Sequence, residues 1–517
     1  MKLSPRRRGA HVKRRAWRVL EAPSEAPMDD TSNAANGKKG PLRAWGILEA
    51  PMREQPSPVA DMAMGPELPD DATVHFALEL ALRIGEVQMA TGAGAADVTA
   101  TILAVTSTLG LPQCEVDVIY TSITVTCHRG TEMAPVTAVR VVRSRSLDYS
   151  RLTAVEELVK KITRGHISAE DAYAELRRIN AAPHPYPRWV ATLALGGMAA
   201  SVTVFINGDA ATAVLAFFVS ALINRVGRVL NRYALPMFFQ QVVGGLIATL
   251  ITMAAISSDI GAFKSPSLVA AAAITVLLSG LGTVSAVQDA ITGYNVTAAG
   301  RSMEVALMSA GLITGVVIAF QIAVSLDWVE RTPLPVLPEP TAVGLPIMML
   351  AGAGTAGFFA LASYSRVRPL LVAAVAGMVG AGTYGAIRLG GGDAVLATAI
   401  AATLVGFSGG LLSRRLRVTP LVVAVSGITP LLPGLSTYRG LYELAVAPVS
   451  DIASKATSIA DATTLMKAIA IGLALAAGVV FGEYLAQPVR TRLGRLERKL
   501  VGPRMAGPLK PAKRRLE

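Results

Sequence analysis

The sequence has 517 residues, of which 52% are hydrophobic and only 16% are charged, and it carries a formal net charge of +13. A soluble protein has roughly 25% charged residues, so this composition favours helices packed in a membrane. Lys and Arg lie mainly in the two tails and in short segments between apolar runs. That is the positive-inside pattern of a membrane protein, and it argues against a nucleic-acid-binding surface.

Residues 1–70 form a basic tail rich in Pro, charge and small residues, a composition that predicts disorder. The tail lacks an apolar core of signal-peptide length, so later segments would direct insertion into a membrane. It contains a short repeat, RAWRVLEAP from Arg15 and RAWGILEAP from Arg43. The repeat is either a recent duplication or a pair of segments that bind a partner or anionic lipid.

Residues 71–187 have the pattern of a soluble, cytosolic α/β domain. HFALELALRIGEVQMA and DVTATILAVTSTLG have helical periodicity, CEVDVIYTSITVTC and APVTAVRVV have the pattern of strands, and two further helices follow. Ser168 is placed to cap the last helix. The glycines of TGAGAADVTA predict a tight turn between two helices rather than a phosphate-binding loop, because no strand precedes them and no Lys follows.

The same domain contains the two cysteines of the chain, Cys114 and Cys127, which the cytosol would keep reduced. Cys127 and His128 are neighbours on a predicted strand and would point to opposite faces, which argues against a Cys–His catalytic pair. The Cys and His spacing does not suit a metal site, and we expect neither a metal nor a cofactor.

Ten apolar runs follow Arg188, and most reach the roughly 20 residues that a helix needs to cross a bilayer. Residues 188–330 hold five spans, 331–342 form a Pro-rich linker, 343–487 hold five more, and 488–517 are a basic tail. Arg residues are more frequent in the loops on one side of the spans. This bias predicts a multi-pass protein of the cytoplasmic (inner) membrane with both termini in the cytosol. The approximate spans are 189–207, 210–226, 236–257, 266–284, 304–326, 343–363, 368–387, 393–411, 418–436 and 466–486.

The fourth span of each half contains an interruption. SLVAAAAITVLLSGLGTVSAVQDAITG is broken by Gly, and TPLVVAVSGITPLLPGLSTYRGLYELA is broken by Pro and Gly. Because five is an odd number, the second half would start from the opposite face of the membrane. The sequence therefore predicts two inverted five-helix halves, whose matched broken helices are typical of a transporter's substrate site.

These segments also carry a resemblance to a known family. MATGAGAADVTATILAVTSTLGL, SGLGTVSAVQDAITGYNVTAAGRSMEVALMSAGLITG and SGITPLLPGLSTYRGLYEL resemble the threonine/serine exporter family (ThrE type) over most of residues 71–487. The family's motifs fall on Gly92–Ala93, on Gly282, Asp289 and Gly293, and on Pro430–Gly434. Where relatives often have Pro-Gly in the first half, this chain has Gly280–Leu281–Gly282. The resemblance implies export of L-threonine and L-serine, driven by the membrane potential or a proton gradient.

An amino-acid substrate needs partners for its ammonium, its carboxylate and its side-chain hydroxyl. Asp289 or Glu304 would meet the ammonium or carry a coupling proton, because ionisable groups near membrane helices are costly unless they function. Arg301, Arg439 or freed backbone amides would meet the carboxylate. Backbone at the breaks and small hydroxyl residues would complete the site. The predicted substrate-binding set is Gly280, Gly282, Thr283, Ser285, Thr429, Pro430, Pro433, Gly434 and Arg439.

The sequence thus favours a secondary transporter that exports small hydroxylated amino acids and is not an enzyme. Two alternatives stay open: a passive small-solute channel, and a membrane-anchored enzyme that uses the soluble domain. The expected partners are L-threonine, L-serine and membrane lipid, without nucleic acid, and a homo-oligomer is compatible with the sequence.

Overall fold

The structure is a computed structural model that describes residues 70–111, 113–129, 133–143, 145–258, 265–278, 280–328, 341–416, 418–446 and 455–486. The described part of the chain is mostly helical, with one small sheet near its amino-terminal end. The basic tails, the repeat in the first tail and the Pro-rich linker predicted over 331–342 lie outside these residues, apart from the last two residues of the linker.

The amino-terminal region, Asp71–Ala181, packs four helices against a three-stranded sheet. Its strands are antiparallel in the order β1-β2-β3, and Cys114 lies opposite Cys127 in the β1–β2 register. Its elements are α1 (Asp71–Ala90), α2 (Ala95–Thr108), β1 (Cys114–Ile119), β2 (Ser122–Arg129), β3 (Met133–Val141), α3 (Tyr149–Thr163) and α4 (Ala169–Ala181).

Local sequence signals explain how these elements begin and end. The side chain of Asp70 accepts a hydrogen bond from the Thr73 amide (3.2 Å) and caps α1. The predicted cap of α4 is confirmed, because the Ser168 hydroxyl accepts from the Asp171 amide at 3.1 Å. The turn predicted between α1 and α2 is also confirmed: Gly92 has φ +100°, a conformation that side chains other than glycine rarely adopt.

Helices make up the rest of the described chain. Eight of those in the described ranges are long and apolar enough to cross a membrane, and two bent helix pairs raise the number to ten if each pair is one span. The helices are α5 (Arg188–Phe205), α6 (Ala210–Arg232), α7 (Met237–Ser257), α8 (Ser267–Leu277), α9 (Gly280–Ile291), α10 (Asn295–Ser325), α11 (Leu345–Ala362), α12 (Val367–Leu389), α13 (Ala394–Leu416), α14 (Pro420–Ile428), α15 (Gly434–Val446) and α16 (Lys455–Ala486).

Two predicted spans begin well after the helices that contain them. The sequence predicts the fifth span over 304–326, but α10 begins at Asn295, so Arg301 and Glu304 lie within the helix rather than at its start. It predicts the last span over 466–486, whereas α16 begins at Lys455. The reason is that an apolar run marks the part of a helix that suits lipid, while backbone hydrogen bonding continues through polar residues beyond it.

Small residues allow the closest helix crossings. A Cβ at Gly315 of α10 would overlap the Val242 carbonyl of α7, and a Cβ at Gly406 of α13 would overlap the Val479 carbonyl of α16. Membrane helices often pack through such small residues. Lipid is as apolar as the side chains themselves, so association depends on van der Waals contact, which small residues allow at close range. The α7–α10 and α13–α16 pairs are therefore held by close backbone approach.

Candidate functional site

Both interrupted helices predicted from the sequence are present in the structure. The axis bends by 46° between α8 and α9, and by 43° between α14 and α15. In the second case a 3₁₀ turn, Thr429–Leu431, follows α14, and Leu432 is extended (ψ 136°), as expected for the residue before Pro433. Leu278 has a similar extended conformation (ψ 131°) at the first break, although that break contains no proline.

The two breaks are also alike in sequence, residue by residue. ITVLLSGLGT, Ile274–Thr283, aligns without gaps with ITPLLPGLST, Ile428–Thr437, and seven of the ten positions are identical. In the same register Pro266 corresponds to Pro420, and Asp289 corresponds to Glu443. Most of the identical positions are Ile, Leu and Thr, so the pattern of Gly and Pro alone does not reveal this alignment.

A small cavity joins the two breaks. Gly280 and Leu281 line it from the first break, and Ile428, Thr429 and Leu432 line it from the second. Its volume is about 20 Å³, and a cavity needs roughly 10–15 Å³ to hold one water molecule. Thr429 donates its hydroxyl hydrogen bond to the Val425 carbonyl at 3.0 Å. The two breaks therefore meet at this cavity, which is too small for an amino acid in this conformation.

The other predicted substrate-binding residues are distributed around this cavity. Pro430 is buried in the 3₁₀ turn, and Gly434 packs against α8. The Ser285 hydroxyl donates to the Gly92 carbonyl at 3.1 Å. Arg439 pairs with Glu443, Nε to Oε1, at 2.6 Å. Only two members of the set, Gly280 and Thr429, line the cavity, while Gly282 and Thr283 lie in the first turn of α9 and Pro433 lies just before α15.

Asp289 and Arg301, near the first break, form a buried ion pair. Arg301 Nη1 lies 2.8 Å from Asp289 Oδ2, and the two side chains are 5% and 0% exposed. Asp289 Oδ1 also accepts a hydrogen bond from the Ala95 amide (2.7 Å), the first residue of α2, and Arg301 Nη2 donates to the Ala93 carbonyl (3.0 Å). Asp289 is thus the cap that α2 lacks in its own sequence, where Gly94 stands at the N-cap.

The turn between α1 and α2 lies directly on the face of α9 that carries Asp289. A Cβ at Gly92 would come 2.5 Å from the Leu281 side chain, and a Cβ at Gly94 would come 3.2 Å from Gln288. Gln288 donates to Asp97 at 3.2 Å. The sequence predicts only a turn at the TGAGAADVTA glycines, whereas the structure shows that the turn also needs them in order to approach α9 closely.

The start of α10 contacts the sheet of the amino-terminal region. Thr297 donates its hydroxyl hydrogen bond to the Val118 carbonyl (2.8 Å) and accepts one from the Tyr120 amide (3.0 Å). Glu304 forms an ion pair with Arg145 and lies 3.4 Å from the Tyr120 hydroxyl. Both predicted coupling carboxylates therefore face the amino-terminal region, Asp289 buried and Glu304 36% exposed.

The amino-terminal region also contacts the second half of the helical part. The Tyr149 amide donates to the Ser363 carbonyl (2.9 Å) between α11 and α12, and His184 stacks on Tyr364 with ring centroids 4.2 Å apart. Thr419, just before α14, donates to Glu156 at 3.0 Å. The region thus touches the α9–α10, α11–α12 and α13–α14 connections.

The cysteine and metal chemistry of the described residues is limited. Burial, with the neighbouring Cys127, raises the pKa of the Cys114 thiol to about 12, so the thiol stays protonated at neutral pH. As predicted, Cys127 is buried while His128 on the same strand is exposed. Among the described residues, no group of three or more His, Cys, Asp or Glu side chains is arranged to hold a metal ion.

Two family models match the chain: "Putative threonine/serine exporter" matches residues 79–323, and "Threonine/Serine exporter, ThrE" matches residues 348–484. A "Probable threonine/serine exporter" of Mycobacterium tuberculosis is 38% identical, over 83% of this chain and 79% of the relative. A "Threonine/serine exporter" of Corynebacterium glutamicum is 35% identical, over 84% of this chain and 86% of the relative.

A shorter similarity covers about a third of the chain. A "Probable succinate transporter subunit YjjP" of Escherichia coli is 25% identical over 37% of this chain and 74% of the relative. No solved structure matches the chain. The matches to both family models and to the two longer relatives show that this chain is a membrane protein of the threonine/serine exporter family.

Proposed function

We propose that the protein is a secondary transporter that exports L-threonine and L-serine across the cytoplasmic membrane. The observation that carries this proposal is the cavity that joins the two sequence-related breaks. Broken backbone within a membrane is tolerated where it is buried in protein or lines a polar pathway, and paired broken helices mark transporter sites. The substrate class follows from the printed names of the relatives.

The proposal includes an architecture of two inverted halves, α5–α10 and α11–α16. Helix packing supports it, because contacts in one half recur in the other. The α5–α6, α7–α10 and α9–α10 contacts correspond to the α11–α12, α13–α16 and α15–α16 contacts. Between the halves, α8 packs on α15 as α9 packs on α14. In this arrangement the two breaks meet at an approximate twofold axis.

Substrate would bind where Gly280 and Thr429 now face the small cavity. Backbone groups at the breaks would meet the charged ends of the amino acid, and the Thr429 hydroxyl would meet its side-chain hydroxyl. The remaining members of the predicted set would close around the solute as the cavity widens. Since threonine cannot fit in about 20 Å³, widening is a required step of transport.

We propose a proton gradient as the driving force, with Asp289 or Glu304 as the proton carrier. Asp289 is supported by its position at the end of a broken helix and by its buried contacts with Arg301 and Ala95. Protonation of Asp289 would remove the negative charge that binds Arg301 and the Ala95 amide. It would therefore loosen the contact between α9 and the amino-terminal region.

A cytosolic location of both chain ends belongs to the same proposal. The amino-terminal region contacts three connections, α9–α10, α11–α12 and α13–α14, which ten crossings place on one face of the membrane. Assigning that face to the cytosol agrees with the Arg bias of the sequence.

The test loads cells that overproduce the protein with labelled Ser- or Thr-containing dipeptides and follows efflux of the released amino acid. We expect faster efflux than in cells with an empty vector, and slower efflux after a protonophore. Equal efflux with and without the protein would contradict the exporter assignment. Efflux that never exceeds the concentration gradient would favour the passive channel.

A further inference from the structure

Helices α8 and α15 are in close contact at Thr275 and Gly434. A Cβ at Gly434 would overlap the Thr275 hydroxyl and would lie 2.6 Å from the Ala271 carbonyl oxygen. The Thr275 hydroxyl itself donates to that carbonyl at 2.9 Å, so it is held in place. No side chain larger than a hydrogen atom fits at position 434 in this conformation.

The equivalent contact between α9 and α14 is open. In the aligned segments Gly280 corresponds to Gly434, Thr429 to Thr275, and Val425 to Ala271. The three atoms nearest to a Cβ at Gly280 would all belong to the Leu432 side chain, the closest at 3.3 Å. Gly280, Val425 and Thr429 instead line the cavity. The cavity therefore occupies the place where the second Gly–Thr contact would form.

We propose that these two Gly–Thr contacts are alternating gates that border the substrate site, which Gly280 and Thr429 themselves line while their contact is open. This inference rests on the proposed exporter function. In the present conformation the Gly434–Thr275 gate is closed and the Gly280–Thr429 gate is open. During transport Thr429 closes on Gly280, and Gly434 separates from Thr275. Because one sequence motif forms both contacts, the two closed states have similar geometry, which is what a two-state exchange needs.

The structure assigns the open gate to the side of the amino-terminal region. The end of α9 contacts that region through Asp289, and the start of α14 contacts it through Thr419. The start of α8 and the end of α15 lie at the other ends of the two broken helices. With the amino-terminal region in the cytosol, the closed Gly434–Thr275 gate faces outward. The open gate then faces the cytosol, from which the substrate is exported.

The two glycines should therefore respond differently to the same added methyl group. We expect Gly280→Ala to be tolerated in the present conformation, because only the end of the Leu432 side chain must move. In the exchanged conformation the methyl group would overlap Thr429, so export should fall by about tenfold or more at parental membrane abundance. Gly434→Ala should lower abundance, since it clashes here with Ala271 backbone. Gly472→Ala, with open space around it, is the matched control and should leave export and membrane abundance unchanged.

A cross-linking measurement reports the exchange directly. Leu281 and Val425 face the cavity from its two sides, so Leu281→Cys with Val425→Cys places one thiol on each. Cys114 and Cys127 are first replaced by Ala. We expect serine to change the rate at which diamide joins the pair, because the cavity must widen to bind substrate and closure of the Gly280–Thr429 contact narrows it again. Adding Gly280→Ala should abolish that change.

The outcomes separate this inference from the exporter assignment. If the parent chain exports serine and Gly280→Ala exports at the same rate, the gates are wrong while the exporter function stands. A cross-linking rate that serine does not change would overturn the gates as well. A parent chain that exports neither amino acid would overturn both.

Discussion

Arg301 and Asp289 form an ion pair, with Nη1 and Oδ2 2.8 Å apart and both side chains almost fully buried. The pair lies between α9, α10 and the first residues of α2, so it joins the first broken helix to the amino-terminal region. A buried charge that loses its partner is much more costly than a buried pair. Through Asp289 and Arg301, the first broken helix is therefore held against the amino-terminal region.

The first prediction concerns that pair. Arg301→Met leaves the Asp289 carboxylate buried with the Ala95 amide but without its ion-pair partner, and we expect a loss of about 3–5 kcal/mol in the free energy of unfolding. Thermal unfolding in detergent would measure it. The double variant Asp289→Asn/Arg301→Met removes both charges and keeps an acceptor for Ala95, so it should recover most of the loss. Equal stability of Arg301→Met and the parent would contradict the buried pair.

The second prediction concerns energy coupling. We expect Asp289→Asn to lose gradient-driven efflux while keeping exchange of labelled for unlabelled serine, because exchange needs the substrate site but no net proton movement. Glu304→Gln tests the other candidate. Its ion pair with Arg145 is partly exposed and contributes only ~0–1 kcal/mol, so abundance should stay normal. If both variants concentrate substrate outside the cell like the parent, neither carboxylate carries the coupling proton.

The third prediction is topological and uses two exposed side chains. Tyr233, between α6 and α7, is 77% exposed, and Val343, just before α11, is 88% exposed. With the amino-terminal region in the cytosol, Tyr233→Cys should be protected in whole cells from a membrane-impermeant thiol reagent, and Val343→Cys should react. The reverse labelling pattern would invert the orientation that we propose.

The sequence was sufficient to predict the breaks because Gly280, Pro430 and Pro433 act locally on backbone hydrogen bonding. It also identified Asp289 and Glu304 as carboxylates beside a break, but it did not distinguish the buried Asp289 from the partly exposed Glu304. It could not predict what Asp289 contacts. The Ala95 amide lies far away in the sequence, and only the tertiary packing of α2 on α9 brings the two together. The same holds for Thr275, whose contact with Gly434 depends on how α8 and α15 pack.

The last prediction concerns the hydroxyl at the cavity. Thr429→Val keeps the volume of the side chain but removes the hydroxyl that we propose meets the substrate. Thr429 now donates to the Val425 carbonyl inside its own helical segment, so the loss should have little effect on folding.

Losing one hydrogen bond to substrate costs about 1 kcal/mol, which corresponds to roughly a fivefold rise in KM for serine and threonine. Thr429→Ser should restore the parental value. Thr355→Val is the matched control: Thr355 is also fully buried and donates to the carbonyl four residues earlier (2.9 Å), but it does not line the cavity. The same rise in both Val variants would mean that the Thr429 hydroxyl acts through helix packing and does not contact the substrate.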